Sequence, residues 1–400
     1  MDFKKRILSN GMTIILEKRN LPVVSVSFAV RNGGINENIS EKGISHFIEH
    51  LLYKGTPTRN SRKIGEEIER RGGQINGFTD EEITAYWCKM PSKHLNVALE
   101  VLGDMIKNPK FDEKEIEKER QVIFEEIKMR KDTPQIYVFD EIQKTLYSGA
   151  MDISLIGNFK TMNLIDRKKI LEKFKKVYTP NNLILCVIGD ADFNELVKFA
   201  EKTFGNEKGK IPEQKFNLKN ETKIEKRRGI DQANLIFAYH TPFGDDKKTY
   251  AASVLNALIA DGFSSRLFNE IREKRNLAYA VKGGCEINKR FGYNFIYVGT
   301  TKDNIEKVRG LILKEFKKVA KNLKERELRD VKNQMIGQYE IGMEDSQSQM
   351  LNLLSYEIIS DAENFYKYKD EIQKVKIEDV KKIAKSASEK FSFLALVPED

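Results

Sequence analysis

Cysteine is scarce in this chain of 400 residues. Cys88, Cys186 and Cys285 are odd in number, far apart and in no Cys-x-x-Cys pair, which argues against a disulfide framework and for buried thiols in a reducing compartment. Proline is also rare, at nine residues, while 40% of the chain is apolar and 10% aromatic; this excludes disordered, collagen-like and low-complexity classes. Long apolar runs are missing. The longest, Leu183-Ile184-Leu185-Cys186-Val187-Ile188, falls well short of the roughly 20 residues that span a bilayer. The opening Met1-Asp2-Phe3-Lys4-Lys5-Arg6 runs into mixed sequence rather than an apolar stretch with a cleavage site, so no secretory leader is expected. A cytoplasmic protein with no membrane partner is the expectation. Charge of one sign is only mildly in excess, with 69 Lys and Arg against 60 Asp and Glu for a net +9. Both signs are interleaved, and the short run Lys226-Arg227-Arg228 lacks accompanying aromatics, so no nucleic-acid partner is expected.

Single cores stop growing near roughly 250–300 residues, so two or more domains are expected. Segments 3–8 and 12–17 flank Asn10-Gly11, a type I′ hairpin signal, and Val23–Val30 continues as an alternating strand. Helical periodicity follows over about 43–52, 61–72, 92–107, 112–131 and 163–178, then a strand at 183–188 and a helix near 193–204. Residues 205–228 have the composition of a connector. Beyond them the grammar repeats: strand 233–239, helices near 248–261 and 264–275, strands 278–287 and 291–299, helices 303–321 and 324–344, and strand 391–397. The sequence therefore predicts an α+β protein of two homologous α/β sandwich domains related by duplication, each a mixed sheet covered by helices. The expected division is a metal-binding domain over 1–212, a linker over 213–228 and a second domain without a metal over 229–400.

Only four histidines are present, and two lie in Ser45-His46-Phe47-Ile48-Glu49-His50. On a helix His46 and His50, at i and i+4, project from one face close enough to share a metal ion, and imidazole suits zinc. Glu49 borders that face and can take a proton from water activated at the metal. A catalytic zinc normally has three protein ligands. His94 and His240 have no acidic companions nearby, whereas the helix over 111–131 carries Glu119 and Glu126 seven residues apart, within about 20° of each other on one face. One of the two could ligate while the other orients a ligand.

The segment Gly43-Ile44-Ser45-His46-Phe47-Ile48-Glu49-His50-Leu51-Leu52-Tyr53-Lys54-Gly55-Thr56 resembles the inverted zincin signature of the pitrilysin, insulin-degrading enzyme and mitochondrial processing peptidase family. Glu119-Arg120-Gln121-Val122-Ile123-Phe124-Glu125-Glu126-Ile127 is similar to its ERxVIxEEI segment. Gly72-Gly73-Gln74-Ile75-Asn76-Gly77-Phe78-Thr79 is similar to its GGxxNAxT strand, with Gly77 where alanine is usual. Ser264–Tyr279 resembles SSRLFxxLREKxGLAY, with Asn276 in place of glycine. Residues 148–157 depart from the family's HPLGxxIxG-like turn. The resemblance implies one Zn2+ per chain on His46, His50 and Glu126, with Glu49 as general base and Glu119 as supporting carboxylate. Asn76, Gly77 and Phe78 would bind substrate by strand addition, and Arg272 and Tyr279 would contact the peptide and the oxyanion. The helix over 251–261 offers neither His nor Glu, so one half is expected to be catalytic.

The function so implied is a zinc metalloendopeptidase acting on peptides or unfolded segments in a clamshell chamber. The short length implies two chains, a homodimer or a pair with a paralogue. The alternative is a non-catalytic scaffold or peptide-binding subunit of the same fold.

Overall fold

The computed structural model describes residues 2–399. In the first half the strands are β1 (Asp2–Ile7), β2 (Thr13–Lys18), β3 (Val23–Val30), β4 (Gln74–Thr79), β5 (Thr84–Pro91), β6 (Tyr147–Gly149) and β7 (Leu183–Gly189). The helices there are α1 (Ile44–Leu52), α2 (Ser61–Glu69), α3 (Leu95–Lys107), α4 (Glu113–Asp132), α5 (Pro134–Leu146), α6 (Phe159–Leu164), α7 (Arg167–Val177) and α8 (Phe193–Thr203). The second half adds β8 (Phe216–Leu218), β9 (Thr222–Arg227), β10 (Ala233–His240), β11 (Ala278–Ile287), β12 (Gly292–Thr300) and β13 (Ser392–Pro398). Its helices are α9 (Lys248–Ala260), α10 (Ile305–Asn322), α11 (Glu325–Gly342), α12 (Ser346–Ile359), α13 (Tyr368–Lys374) and α14 (Ile377–Glu389). No helix among the described residues is long and apolar enough to cross a membrane.

Duplication is visible in the sheets. One has the order β1-β2-β7-β3-β5-β4 and the other β9-β13-β10-β12-β11. The second repeats five of the six positions of the first, and the pairing senses agree. β2 with β7 and β9 with β13 are parallel, and the remaining matched pairs are antiparallel.

In β3 the side chains Val24, Val26, Phe28 and Val30 point into one apolar core with Phe47, Leu51, Leu102 and Ile123. Ser25 and Ser27 face the other way, where Ser25 Oγ meets Ser346 Oγ of α12 at 2.9 Å and Ser27 Oγ donates to the Tyr86 carbonyl at 3.1 Å. Small side chains on that face let a helix lie close to the strand.

The compact units are not the two contiguous stretches the sequence suggests. One comprises the chain up to Lys128 with Ile153–Lys215 and Gly342–Ile358; the other comprises Met129–Asp152, Phe216–Ile341 and the chain from Ile359 onward. Thus α5 belongs with the second sheet, where Phe139 packs edge-on against Phe295 at 5.1 Å. Most of α12 belongs with the first sheet. There Gln349 Nε2 donates to Glu17 Oε2 at 2.8 Å, and the buried Glu357 carboxylate pairs with Lys5 at 2.6 Å and Arg31 at 2.7 Å.

Other departures have local causes. The first hairpin closes through Leu8 N to Met12 O and Gly11 N to Leu8 O, and of its turn residues only Gly11 has positive φ. The Asn10 side chain accepts from Met12 N at 3.0 Å, so Asn10 directs a longer loop rather than a type I′ turn. The single helix expected over 163–178 is broken at Ile165, and Asp166 caps α7 by accepting from Lys169 N at 2.8 Å. The linker expected over 213–228 contains β8 and β9. As an exposed edge strand of alternating charge, β9 carries no apolar signature.

Glu357 is almost fully buried while its two cations retain some exposure. Glu357→Ala removes the buried carboxylate that Lys5 and Arg31 share and should lower stability by about 2 kcal/mol. The urea midpoint followed by Trp87 fluorescence measures this; an unchanged midpoint would show that α12 is held by other contacts.

Candidate metal centre

Helix α1 sorts its residues by face. Ile44, Phe47, Ile48, Leu51 and Leu52 are buried in the core, which leaves His46, Glu49 and His50 on the remaining side. Its N-terminus is fixed twice over. Gly43 adopts φ 98°, and a Cβ there would lie 2.7 Å from the Ile156 carbonyl oxygen; both facts require glycine. The first-turn amides of Gly43 and Ser45 donate to the two carboxylate oxygens of Glu37 at 2.9 and 2.6 Å. Glu37 is fully buried, and burial raises its carboxyl above the usual range although Lys42 and Lys173 stand nearby. A carboxylate at this end satisfies two orphan N–H groups and complements the helix dipole. The sequence motif gives no hint of Glu37, because it lies in a loop and acts through space.

The opposite wall is α4. Arg120 reaches from it to the carbonyls of Met162 and Ile165, and its guanidinium stands 5.3 Å from the centroid of the Phe47 ring, one residue after His46. This contact sets α4 against α1 and brings Glu126 to the two histidines. His46 Nε2 and His50 Nε2 are 3.2 Å apart, and Glu126 Oε2 lies 3.5 Å from the first and 3.8 Å from the second. Ligand atoms of these three residues all fall within 4.8 Å of one another, and they form the one such group among the described residues.

The triangle fits zinc on the residues alone. Tetrahedral Zn–N bonds of about 2.05 Å place ligand atoms about 3.3 Å apart. His50 Nδ1 lies 3.2 Å from Glu119 Oε2, whose other oxygen holds Lys54 Nζ at 2.6 Å. With Nδ1–H donating to Glu119, the Nε2 lone pair faces the triangle. Burial works against the charge of Glu119, but His50 and Lys54 outweigh it and hold the carboxyl below its usual range. Burial likewise opposes charge on His50, yet Glu119, Glu49 and Glu126 together hold its pKa above the ordinary value. Three carboxylates against one lysine make a site that favours a cation.

Glu49 does not join the triangle. Its Oε2 accepts from Thr79 Oγ1 of β4 at 3.0 Å, and burial pushes its carboxyl up against the pull of His50 and of this hydrogen bond. Through Thr79 this carboxylate is tied to the strand expected to hold substrate. β4 is an edge strand, paired among the described residues only with β5. Asn76 is exposed, and its side-chain oxygen accepts from Gly77 N at 2.8 Å; Gly77 and Phe78 are half-buried.

Arg272 and Tyr279 belong to the other compact unit, and each sits on a local irregularity. Arg272 lies in a π-helical turn over Phe268–Glu273 with its guanidinium 4.9 Å from the Phe268 ring centroid. Tyr279 occupies a register shift between Ala278 and Ala280, half-exposed, with its ring laid over Gly299. The Tyr297 hydroxyl donates to Asn234 Oδ1 at 2.7 Å, so the 3.2 Å contact between the two phenols is donated by Tyr279. Asn276 adopts φ 49°, the left-handed region that glycine and asparagine both tolerate.

A model of the insulinase family, peptidase family M16, matches residues 13–158, and one described as the peptidase M16 inactive domain matches residues 164–335. The uncharacterized zinc protease YmxG of Bacillus subtilis is 31% identical over 352 residues, covering 87% of this chain and 86% of the relative. Among solved structures, a protease from Helicobacter pylori aligns with a TM-score of 0.91 at 21% identity over 99% of both chains. The peptidase M16 inactive domain from Pseudomonas fluorescens aligns with a TM-score of 0.88 at 18% identity, over 100% of this chain and 98% of that one. At these identities the two structures speak to the fold alone.

Zinc added to metal-free protein at about 100-fold its dissociation constant should stabilise it by about 2.7 kcal/mol. Calorimetry should show this rise in melting temperature for the wild type and lose it in Glu126→Gln; an equal rise in both would remove Glu126 from the ligand set. Independently, Glu37→Ala should cost about 1–3 kcal/mol in urea unfolding, because two buried amides lose their acceptor.

Proposed function

The chain belongs to the insulinase family of peptidases, M16, and on that premise we propose that it is a zinc-dependent endopeptidase that cuts peptides or unfolded polypeptide segments. The observation that carries the proposal is the His46, His50 and Glu126 triangle, with Glu49 beside it and tied to an open-edged strand. One zinc ion per chain, held by these three side chains, would supply a Lewis acid that polarises the scissile carbonyl and makes water more acidic.

The chain's own residues do the remainder. The free edge of β4 takes up an extended substrate as an added strand, which requires a segment without its own structure and so favours unfolded chains. Gly77, lacking a side chain, lets the substrate backbone come close to the base. Glu49 takes a proton from the attacking water and returns it to the departing amide nitrogen. Glu119, fixed by Lys54, holds the His50 ring in the tautomer and orientation that ligation needs. Glu49→Gln should retain zinc while kcat falls about 10²–10⁴-fold; wild-type turnover in that variant would refute the role of Glu49.

We further propose that the active form is a dimer, of identical chains or with a paralogue, in which a second chain supplies Arg272 and Tyr279 to the oxyanion. The guanidinium of Arg272 makes no ion pair among the described residues and is exposed, so it is available to an anionic centre. Tyr279 would exchange its hydrogen bond to Tyr297 for one to the substrate. Mixing Glu49→Gln with the double variant Arg272→Ala, Tyr279→Phe should restore activity, since one mixed interface rebuilds an intact site. Mixed dimers that form and stay inactive would refute the shared site.

A further inference from the structure

Tyr53 closes α1 one helical turn after Glu49, so its side chain runs along the same side of the helix as the base. Its ring lies beside Tyr86 with centroids 6.0 Å apart, and the Tyr86 hydroxyl shares a 2.8 Å hydrogen bond with that of Tyr178. The Tyr53 hydroxyl differs from these two: it is buried and has no hydrogen-bond partner among the described residues. A buried donor left unmade destabilises the fold, and phenylalanine would fill the same space without that cost. Burial, reinforced by the charge of Glu49, pushes the phenol well above its ordinary range. The proton therefore stays on the oxygen as an unspent donor.

Gly77 shows where that donor is aimed. A Cβ at this position would lie 2.7 Å from Tyr53 Oη and 3.1 Å from Glu49 Oε1. The phenol oxygen and one carboxylate oxygen of the base thus converge on the same bare patch of β4, where any larger side chain would displace them. The other carboxylate oxygen, Oε2, is already occupied by Thr79 at 3.0 Å.

We propose that Tyr53 is a positioning residue for Glu49, its hydroxyl supplying the second hydrogen bond to the carboxylate, at Oε1 across the gap that Gly77 leaves open. Thr79 and Tyr53 then hold the base from both sides. Rotation of the Glu49 carboxylate would bring Oε1 to the phenol, and a substrate lying along β4 closes that space to water and favours the pair. The inference rests on the peptidase reading.

The test uses the full zinc-loaded chain with an internally quenched peptide, comparing the wild type with Tyr53→Phe, Gly77→Ala and Glu49→Gln. Zinc content and melting temperature are measured alongside kcat and KM. Tyr53→Phe should lower kcat about ten- to a hundredfold, the worth of one hydrogen bond to a charged group, with KM and zinc content unchanged. Its melting temperature should equal or exceed that of the wild type, which a structural role for the hydroxyl would not allow. Gly77→Ala, which crowds both oxygens, should also lower kcat. The inference is overturned if Tyr53→Phe keeps the wild-type kcat, or loses it together with zinc or melting temperature. Wild-type cleavage that is lost in Glu49→Gln but survives in Tyr53→Phe sinks this inference alone, whereas a wild type without zinc-dependent cleavage sinks the peptidase reading with it.

Discussion

Two imidazole nitrogens and a carboxylate oxygen facing one another across 3.2 to 3.8 Å repel unless a positive charge lies among them. The surrounding structure serves to hold that unfavourable convergence in place. Glu37 fixes the start of α1, so the histidines cannot slide along the helix axis. Arg120 binds α4 to the Met162 and Ile165 carbonyls and lays its guanidinium on Phe47, so Glu126 cannot swing away. Glu119 and Lys54 orient His50 from behind. Each of these groups is buried or nearly so and satisfied by polar partners, which is the condition under which charged residues are tolerated in an interior. A cation entering the triangle relieves repulsion that the fold has already built in, so metal affinity is partly prepaid by folding.

The sequence showed the chemistry more clearly than the architecture around it. The i, i+4 spacing of His46 and His50 and the seven-residue spacing of Glu119 and Glu126 survive folding because both pairs lie on continuous helices, where periodicity dictates direction. Glu37, Thr79 and Tyr53 were not legible as parts of the site. Their contacts join segments distant in the chain, or depend on a neighbour's missing Cβ, and no local pattern encodes that. Strand β9 was read as a connector because an edge strand of alternating charges looks like solvated coil. Helices α5 and α12 escaped assignment for a related reason. Each carries a mixed surface, and α12 interleaves the polar Ser346, Gln349 and Glu357, which meet partners on the first sheet, with buried Met350, Leu353, Leu354 and Ile358.

Duplication supplied two equivalent frameworks that have since diverged. In the first, α1 follows the central strand β3 and keeps a polar side for ligands. In the second, α9 follows β10 and is buried along nearly its whole length, with Ala251, Ala252, Val254, Leu255 and Leu258 in the core. That helix is given over to packing. The second framework retains instead the π-helical turn that carries Arg272 and the bulge that carries Tyr279. Such irregularities cost regular hydrogen bonding and are kept where a side chain must be re-aimed. Asn276 at φ 49° ends the same turn.

The exchange of α5 and α12 between the units has a consequence for how the molecule comes into being. The face of the first sheet that bears Ser25 and Glu17 stays bare until Ser346 and Gln349 have been synthesised. At about 5–20 residues per second, an emerging chain spends many seconds with that surface uncovered. A break at the midpoint of the repeat would separate each sheet from a helix that packs with it, α12 from the first and α5 from the second.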